Sequence, residues 1–162
     1  MKGSTAALAA LAMFVLDQIT KWMVVARFEL GESVPVIPEF FSLTYVRNRG
    51  GAFGMLGDLP DGWREGFFIV FALGTVAALA WMFRSTPVSD RVQRAALTSV
   101  IGGAAGNLYD RVLHGEVIDF LDVFVGNWHW PAFNVADSFI TCGVALLVIG
   151  ALREGIAEKV TE

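Results

Sequence analysis

Residues 67–83, FFIVFALGTVAALAWMF, run without a charge between Arg64–Glu65 on one side and Arg84 on the other. A helix that crosses the hydrocarbon of a bilayer needs about 20 mostly apolar residues, with tilt and interfacial aromatics giving latitude. Helices of water-soluble domains keep a polar face, and this run has none. Lipid is therefore the solvent for at least this part of the chain, and inside lipid the backbone must satisfy its own hydrogen bonds.

Composition agrees. The 162 residues are 55% hydrophobic with a mean hydropathy of +0.57. Only 17% are charged, against roughly 25% in ordinary globular domains. Residues 138–152, SFITCGVALLVIGAL, form a second apolar run, extended at its start by the aromatic WHWPAF in the manner of an interfacial belt. Residues 95–109, AALTSVIGGAAGNLY, are more polar and rich in small side chains. Gly102 and Gly106 give this stretch a GxxxG spacing, which lets helix backbones approach closely. The N-terminal stretch could be read as a signal peptide. Apolar character resumes after Lys21 with WMVVA, however, and no cleavage pattern intervenes, so a retained helix is expected. The reading is a single membrane-embedded domain over 1–162 with spans near 5–26, 67–84, 93–111 and 134–153.

Four spans put both termini on one side. Arg84, Arg91 and Arg94 lie in a short connection and Arg153 and Lys159 in the tail, which favours both termini in the cytoplasm. Residues 28–66 then lie outside. Within them FFSLTYV (40–46) is β-prone, and Pro35 and Pro38 limit it to an edge or turn. LPDGWREGFF (59–68) reads as an amphipathic interfacial helix leading into the second span. A net charge of −4 without a basic tract argues against nucleic acid as a partner. Cys142 stands alone inside an apolar run, so no disulfide framework or CxxC site exists, and it reads as a small packing residue.

Ionisable residues inside spans are expensive and mark functional sites by default. Asp17 and Lys21 lie one helical turn apart, acid before base, and fit a structural ion pair. The other polar residues gather at the outer ends of the spans. Asn107, Asp110 and Arg111 close the third span, Asn134 and Asp137 open the fourth, and Asn48 precedes Gly50 in a tight-turn pattern. Asp119 sits in the apolar VIDFLDV. Topology sends Asn48, Asn107, Arg111, Asp119, Asn134 and Asp137 to one membrane face. Asn134 and Asp137 alone would suit a capping box, and Asp119 alone a solvated loop acid. Two acids at one lipid boundary also suit a pair sharing a proton. His114, Glu116, Asp119, Asp122 and His129 lack any helical ligand spacing for a metal, and no GxSxG elbow supports serine chemistry.

DQITK (17–21), NRGGAF (48–53), GGAAGNLYDR (102–111), VIDF (117–120) and FNVAD (133–137) together resemble the lipoprotein signal peptidases (signal peptidase II) of bacteria, in family order and spacing. Gly51 and Gly54 depart from the alanine and serine common there. The resemblance implies an all-α membrane protein of four transmembrane helices with a small extracytoplasmic β-cradle and an amphipathic periplasmic helix. It implies an aspartyl endopeptidase of the bacterial inner membrane, cutting prolipoproteins just before a diacylglyceryl-modified cysteine. Asp119 and Asp137 map to the catalytic pair. Asn48, Gly50, Asn107, Asp110, Arg111, Asn134 and Ala136 map to substrate-binding or supporting positions, and Asp17 and Lys21 to structural support. No metal or cofactor is implied, and the partners are prolipoprotein substrates and membrane lipids, with the chain acting as a monomer. A small transporter or proton pathway is the alternative from another class, and a non-catalytic membrane scaffold a third.

Overall fold

The computed structural model of the chain describes residues 1–50 and 60–161. Four long helices and a small sheet follow one another as α1 (Gly3–Arg27), β1 (Ser33–Ile37), β2 (Phe41–Asn48), α2 (Asp61–Ser85), α3 (Arg91–His114), β3 (Val117–Val125), β4 (Trp128–His129) and α4 (Val135–Thr161). Three helices, α1, α2 and α4, are each long and apolar enough to cross a membrane. Their outer surfaces carry large apolar side chains, among them Leu8, Val70, Phe71, Trp81 and Val148. Contiguous exposed apolar surface of this kind belongs against lipid.

Helix α3 is built differently. Leu97, Thr98, Ser99, Val100, Asn107 and Asp110 are all buried on it, and it touches each of the other three helices. A helix surrounded by protein needs no lipid-facing apolar surface, which accounts for its more polar sequence. Small residues let its neighbours come close. A Cβ added to Gly102 would stand 3.1 Å from the Ala10 carbonyl oxygen of α1, and one on Gly106 would stand 2.5 Å from Asp17 Oδ2. The GxxxG spacing thus seats α1 directly, and Gly103 does the same for α4 at Ala136.

The sheet has the order β1-β2-β3-β4 with antiparallel neighbours. β1, which carries Pro35, is the edge strand that its proline requires. FFSLTYV supplies most of β2, which is paired on both sides and is not the edge expected, because Pro35 and Pro38 fall outside it. Residues 117–125, to which the sequence reading gave no element, form β3 between β2 and β4. Val24 of α1, Tyr45, Ile118 and Phe120 make an apolar cluster that fastens the sheet to the end of α1. Gly115 ends α3 in the left-handed conformation (φ 71°) and returns its N–H to the Arg111 carbonyl, the usual αL stop. Of the stretch read as an interfacial helix, the residues from Asp61 onward belong to α2, which runs unbroken to Ser85. Residues 51–59, with the rest of the NRGGAF turn, lie outside the described residues.

Candidate active site

Strand β3 supplies the first carboxyl. Val117, Ile118, Asp119 and Phe120 are all buried in succession, so both faces of the strand are covered. Side chains alternate along a strand, and with Ile118 and Phe120 committed to the apolar cluster, Asp119 emerges on the other face. Its Oδ2 accepts a hydrogen bond from Asn48 Nδ2 (3.1 Å) and its Oδ1 one from Asn134 Nδ2 (2.7 Å). Asn48 comes from β2, where Val46 stands opposite Asp119. Asn48 Oδ1 also accepts from Gly50 N (3.0 Å), an Asx turn that closes the strand.

The second carboxyl arrives by a chain reversal. After Gly126 (φ 60°) the backbone returns beside β3, where Trp130 N donates to Val123 O and Phe133 exchanges bonds with Leu121. This return sets Asn134 beside Asp119 and opens α4. Asn134 Oδ1 accepts from Asp137 N (2.9 Å) and Asp137 Oδ2 accepts from Asn134 N (3.2 Å). That reciprocal pair is a capping box, with Asp137 at the electropositive end of α4. The same side chains have capacity left over. Asp137 Oδ1 accepts from Asn107 Nδ2 (2.7 Å), and Asn134 Nδ2 lies within bonding distance of Asp119 Oδ1, Asn107 Oδ1 and Ile118 O. Capping and membership of the site are one arrangement, not rival readings.

Behind this layer lies a buried ionic cluster. Lys21 Nζ is 2.8 Å from Asp17 Oδ2, 2.8 Å from Asp110 Oδ2 and 3.0 Å from Asn107 Oδ1, so each ammonium proton has an acceptor. Asp17 Oδ1 accepts from Ala136 N (2.9 Å), an N–H of the first turn of α4 that the helix itself leaves without a partner. Asp110 Oδ2 accepts from Ile118 N (3.3 Å), which ties β3 to α3. Gln18, which the sequence reading passed over, donates to both Asp17 and Asp110. Its place beside Asp17 in DQITK was the available signal.

Asn48, Asn107, Arg111, Asp119 and Asp137 line a cavity of about 590 Å³, completed by Trp130, Pro131, Phe133 and Ile140. Arg111 Nη2 donates to Gly50 O (3.3 Å), and its Cζ lies 4.9 Å from the centre of the Phe68 ring. Gly50, Asn134, Ala136, Asp17, Lys21 and Asp110 stand behind the wall. Burial, followed by the nearby Asp137 carboxylate, raises the Asp119 pKa from 3.8 to about 7 despite hydrogen bonds from Asn48 and Asn134. Elsewhere His129 Nδ1 bonds to Asp122 (2.9 Å), and Glu116 bonds to Arg47 and Arg49. Burial opposes ionisation of Glu116, yet those two arginines hold it below the usual carboxylate range. Of the residues weighed as metal donors, Glu116 is therefore held by two arginines and Asp122 by His129, apart from Asp119.

This constellation of two carboxyl groups cross-linked by asparagines can hold a water molecule and exchange protons with it. Residues 9–153 match the family model of signal peptidase II. The chain is 47% identical to a lipoprotein signal peptidase of Syntrophotalea carbinolica, over 94% of this chain and 93% of that one. It is 48% identical to one of Geobacter sulfurreducens, over 89% of each. Its fold is similar to that of a solved bacterial membrane enzyme at a TM-score of 0.85 and 34% identity, covering 94% of this chain and 90% of that chain. With the match running through both carboxyl groups and every helix that positions them, the chain belongs to the signal peptidase II family.

Proposed function

We propose that this membrane protease removes the signal peptide from prolipoproteins by aspartyl chemistry, with Asp119 and Asp137 as the catalytic pair. The observation that carries the reading is their convergence: separate elements bring both carboxyls to one cavity, joined through Asn134 and Asn107. Asp119, with a pKa of about 7, is the member that holds the proton. Both carboxyls accept hydrogen bonds at both oxygens, so the base role falls to Asp137 as the partner of the proton-bearing Asp119.

Hydrolysis then proceeds by general acid–base steps. Asp137 draws a proton from water as the water oxygen attacks the scissile carbonyl carbon, and Asp119 gives its proton to the carbonyl oxygen. Collapse of the tetrahedral intermediate breaks the C–N bond, with a proton passing to the leaving amine. Asn48 and Arg111 line the cavity as donors for substrate carbonyls. No resident metal or organic cofactor takes part.

The position of the site supports the substrate class. The dyad lies at the end of the helix bundle where the sheet begins, so the scissile bond meets it at headgroup depth. The signal helix then occupies lipid beside α4, and the acyl chains of a diacylglyceryl-cysteine remain in the bilayer. All four helices span, with α3 packed against each of the others. Both termini are cytoplasmic, the dyad faces the outer side of the bacterial inner membrane, and the first turns of α2 lie in the interface. The described polar groups of the site come from one chain, which suits a monomer as the working unit.

Purified protein given a diacylglyceryl-modified precursor and its unmodified form tests this reading. A gel shift confined to the modified precursor is expected. Equal turnover of both would remove lipid recognition from the account.

A further inference from the structure

A second cavity, of about 680 Å³, lies at the other end of the bundle, about 20 Å from the dyad by the 1.5 Å rise of α3 between Arg94 and Asn107. Ala6, Ala7 and Ala10 of α1 and Ala80 of α2 give it an apolar wall of small side chains, and Arg84 and Arg94 border it.

Arg94 is only 6% exposed. Its Nε donates to Met1 O (2.8 Å), its Nη1 donates to Phe83 O (3.0 Å) and Thr86 O (2.5 Å), and its Cζ lies 3.8 Å from the centre of the Phe83 ring. These acceptors are neutral carbonyls, two of them at the C-terminal end of α2, where partial negative charge gathers. Among the described residues no carboxylate stands within ion-pair distance of Arg94, and its Nη2 has no hydrogen-bond partner. The contrast with Lys21 is instructive. There the same bundle places two carboxylates at 2.8 Å around one buried cation. The three carbonyls and the Phe83 ring offset part of the cost of burying this cation, and the unused Nη2 leaves it able to take an anion from outside the chain. The cavity that Arg94 borders is apolar, so that anion carries a hydrocarbon tail.

The geometry points to a binding site for an anionic glycerophospholipid, its phosphate between Arg94 Nη2 and Arg84 and an acyl chain along the alanine wall. A net-negative headgroup suits a cavity bordered by two cations better than a zwitterionic one, whose own ammonium competes for the phosphate. Helices α1, α2 and α3 are bridged by such a lipid at the end where no sheet holds them.

Native mass spectrometry of the full-length protein, with phosphatidylglycerol and phosphatidylcholine vesicle lipids supplied equally, reads the site. Retention of phosphatidylglycerol should exceed that of phosphatidylcholine about tenfold, the scale of one charge-assisted hydrogen bond. Arg84→Gln should erase that preference, and Ala7→Phe, at an exposed wall position, should reduce retention of both lipids, with precursor cleavage unchanged. Equal retention of the two lipids by the wild type overturns the proposal, as does unchanged retention in the Arg84→Gln protein. Inorganic phosphate raising thermal stability as much as phosphatidylglycerol does would mean a simple anion contact and overturn the acyl-chain site.

Discussion

A carboxyl group 2% exposed, sharing its cavity with a second carboxyl, keeps its proton to about pH 7. Two consequences follow at the scale of that residue. Above pH 7 the general acid is lost, so kcat/KM should fall about tenfold per pH unit on the alkaline side, a limb that pH–rate profiles will locate. Stability responds as well. Between 3.8 and about 7 the folded protein binds a proton that the unfolded chain has released, so the free energy of unfolding decreases as pH rises through that window. The total loss is of the order of 4 kcal/mol for a shift of about three units. Thermal unfolding in detergent should show this slope in the wild type and lack it in Asp119→Asn; equal slopes would contradict the burial assigned to Asp119. Lys21 acts on the site through Asn107. By donating to Asn107 Oδ1 it fixes the amide so that Nδ2 points to Asp137. Lys21→Met leaves Asp17 and Asp110 buried without their cation, and should cost about 3–5 kcal/mol of stability by the measured range for broken buried pairs. An unchanged Tm would show that the cluster is not under this electrostatic load.

Among the elements, α3 shows how far sequence reasoning reaches. Its small residues announced close packing, and the structure uses Gly102 and Gly106 against α1 as the spacing predicts. Gly106→Ala should therefore push Asp17 away from α3 and disturb the N–H of Ala136 that Asp17 holds, lowering both Tm and cleavage rate. Gly74→Ala on α2, where an added Cβ meets nothing within 4 Å, is the control and should change neither. Equal behaviour of the two variants in unfolding and cleavage assays would contradict the packing role. Strand β3 was hidden because VIDFLDV has no clean alternation: both its faces are covered, so burial does not follow period two. The reversal after Gly126 was also illegible, since only pairing with β3 in space shows that Phe133 lies beside Leu121. The apolar helices, by contrast, were legible from hydropathy alone, because lipid imposes one rule on every exposed position.

For the molecule as a whole, counting spans was enough to send Asn48, Asn107, Arg111, Asp119, Asn134 and Asp137 to one end of the bundle. Their division of labour was not, because roles such as the double duty of Asn134 depend on distances between elements far apart in the chain. Gln18 and the Asp122–His129 pair escaped for the same reason. What the assembled structure adds is a division between a polar front, the cavity with its two carboxyls, and a rigid ionic backing of Asp17, Lys21 and Asp110. The proposed function requires the front to act as one unit. Groups that act together lose their effects non-additively when removed. The most direct measurement is cleavage of diacylglyceryl-modified precursor by Asp119→Asn, Asp137→Asn and the double variant, each shown to be folded by its Tm. Each single variant should lose nearly all activity and the double should be little worse. If Asp137 served only as a cap, asparagine would cap nearly as well, and substantial cleavage by either folded single variant would contradict the aspartyl pair.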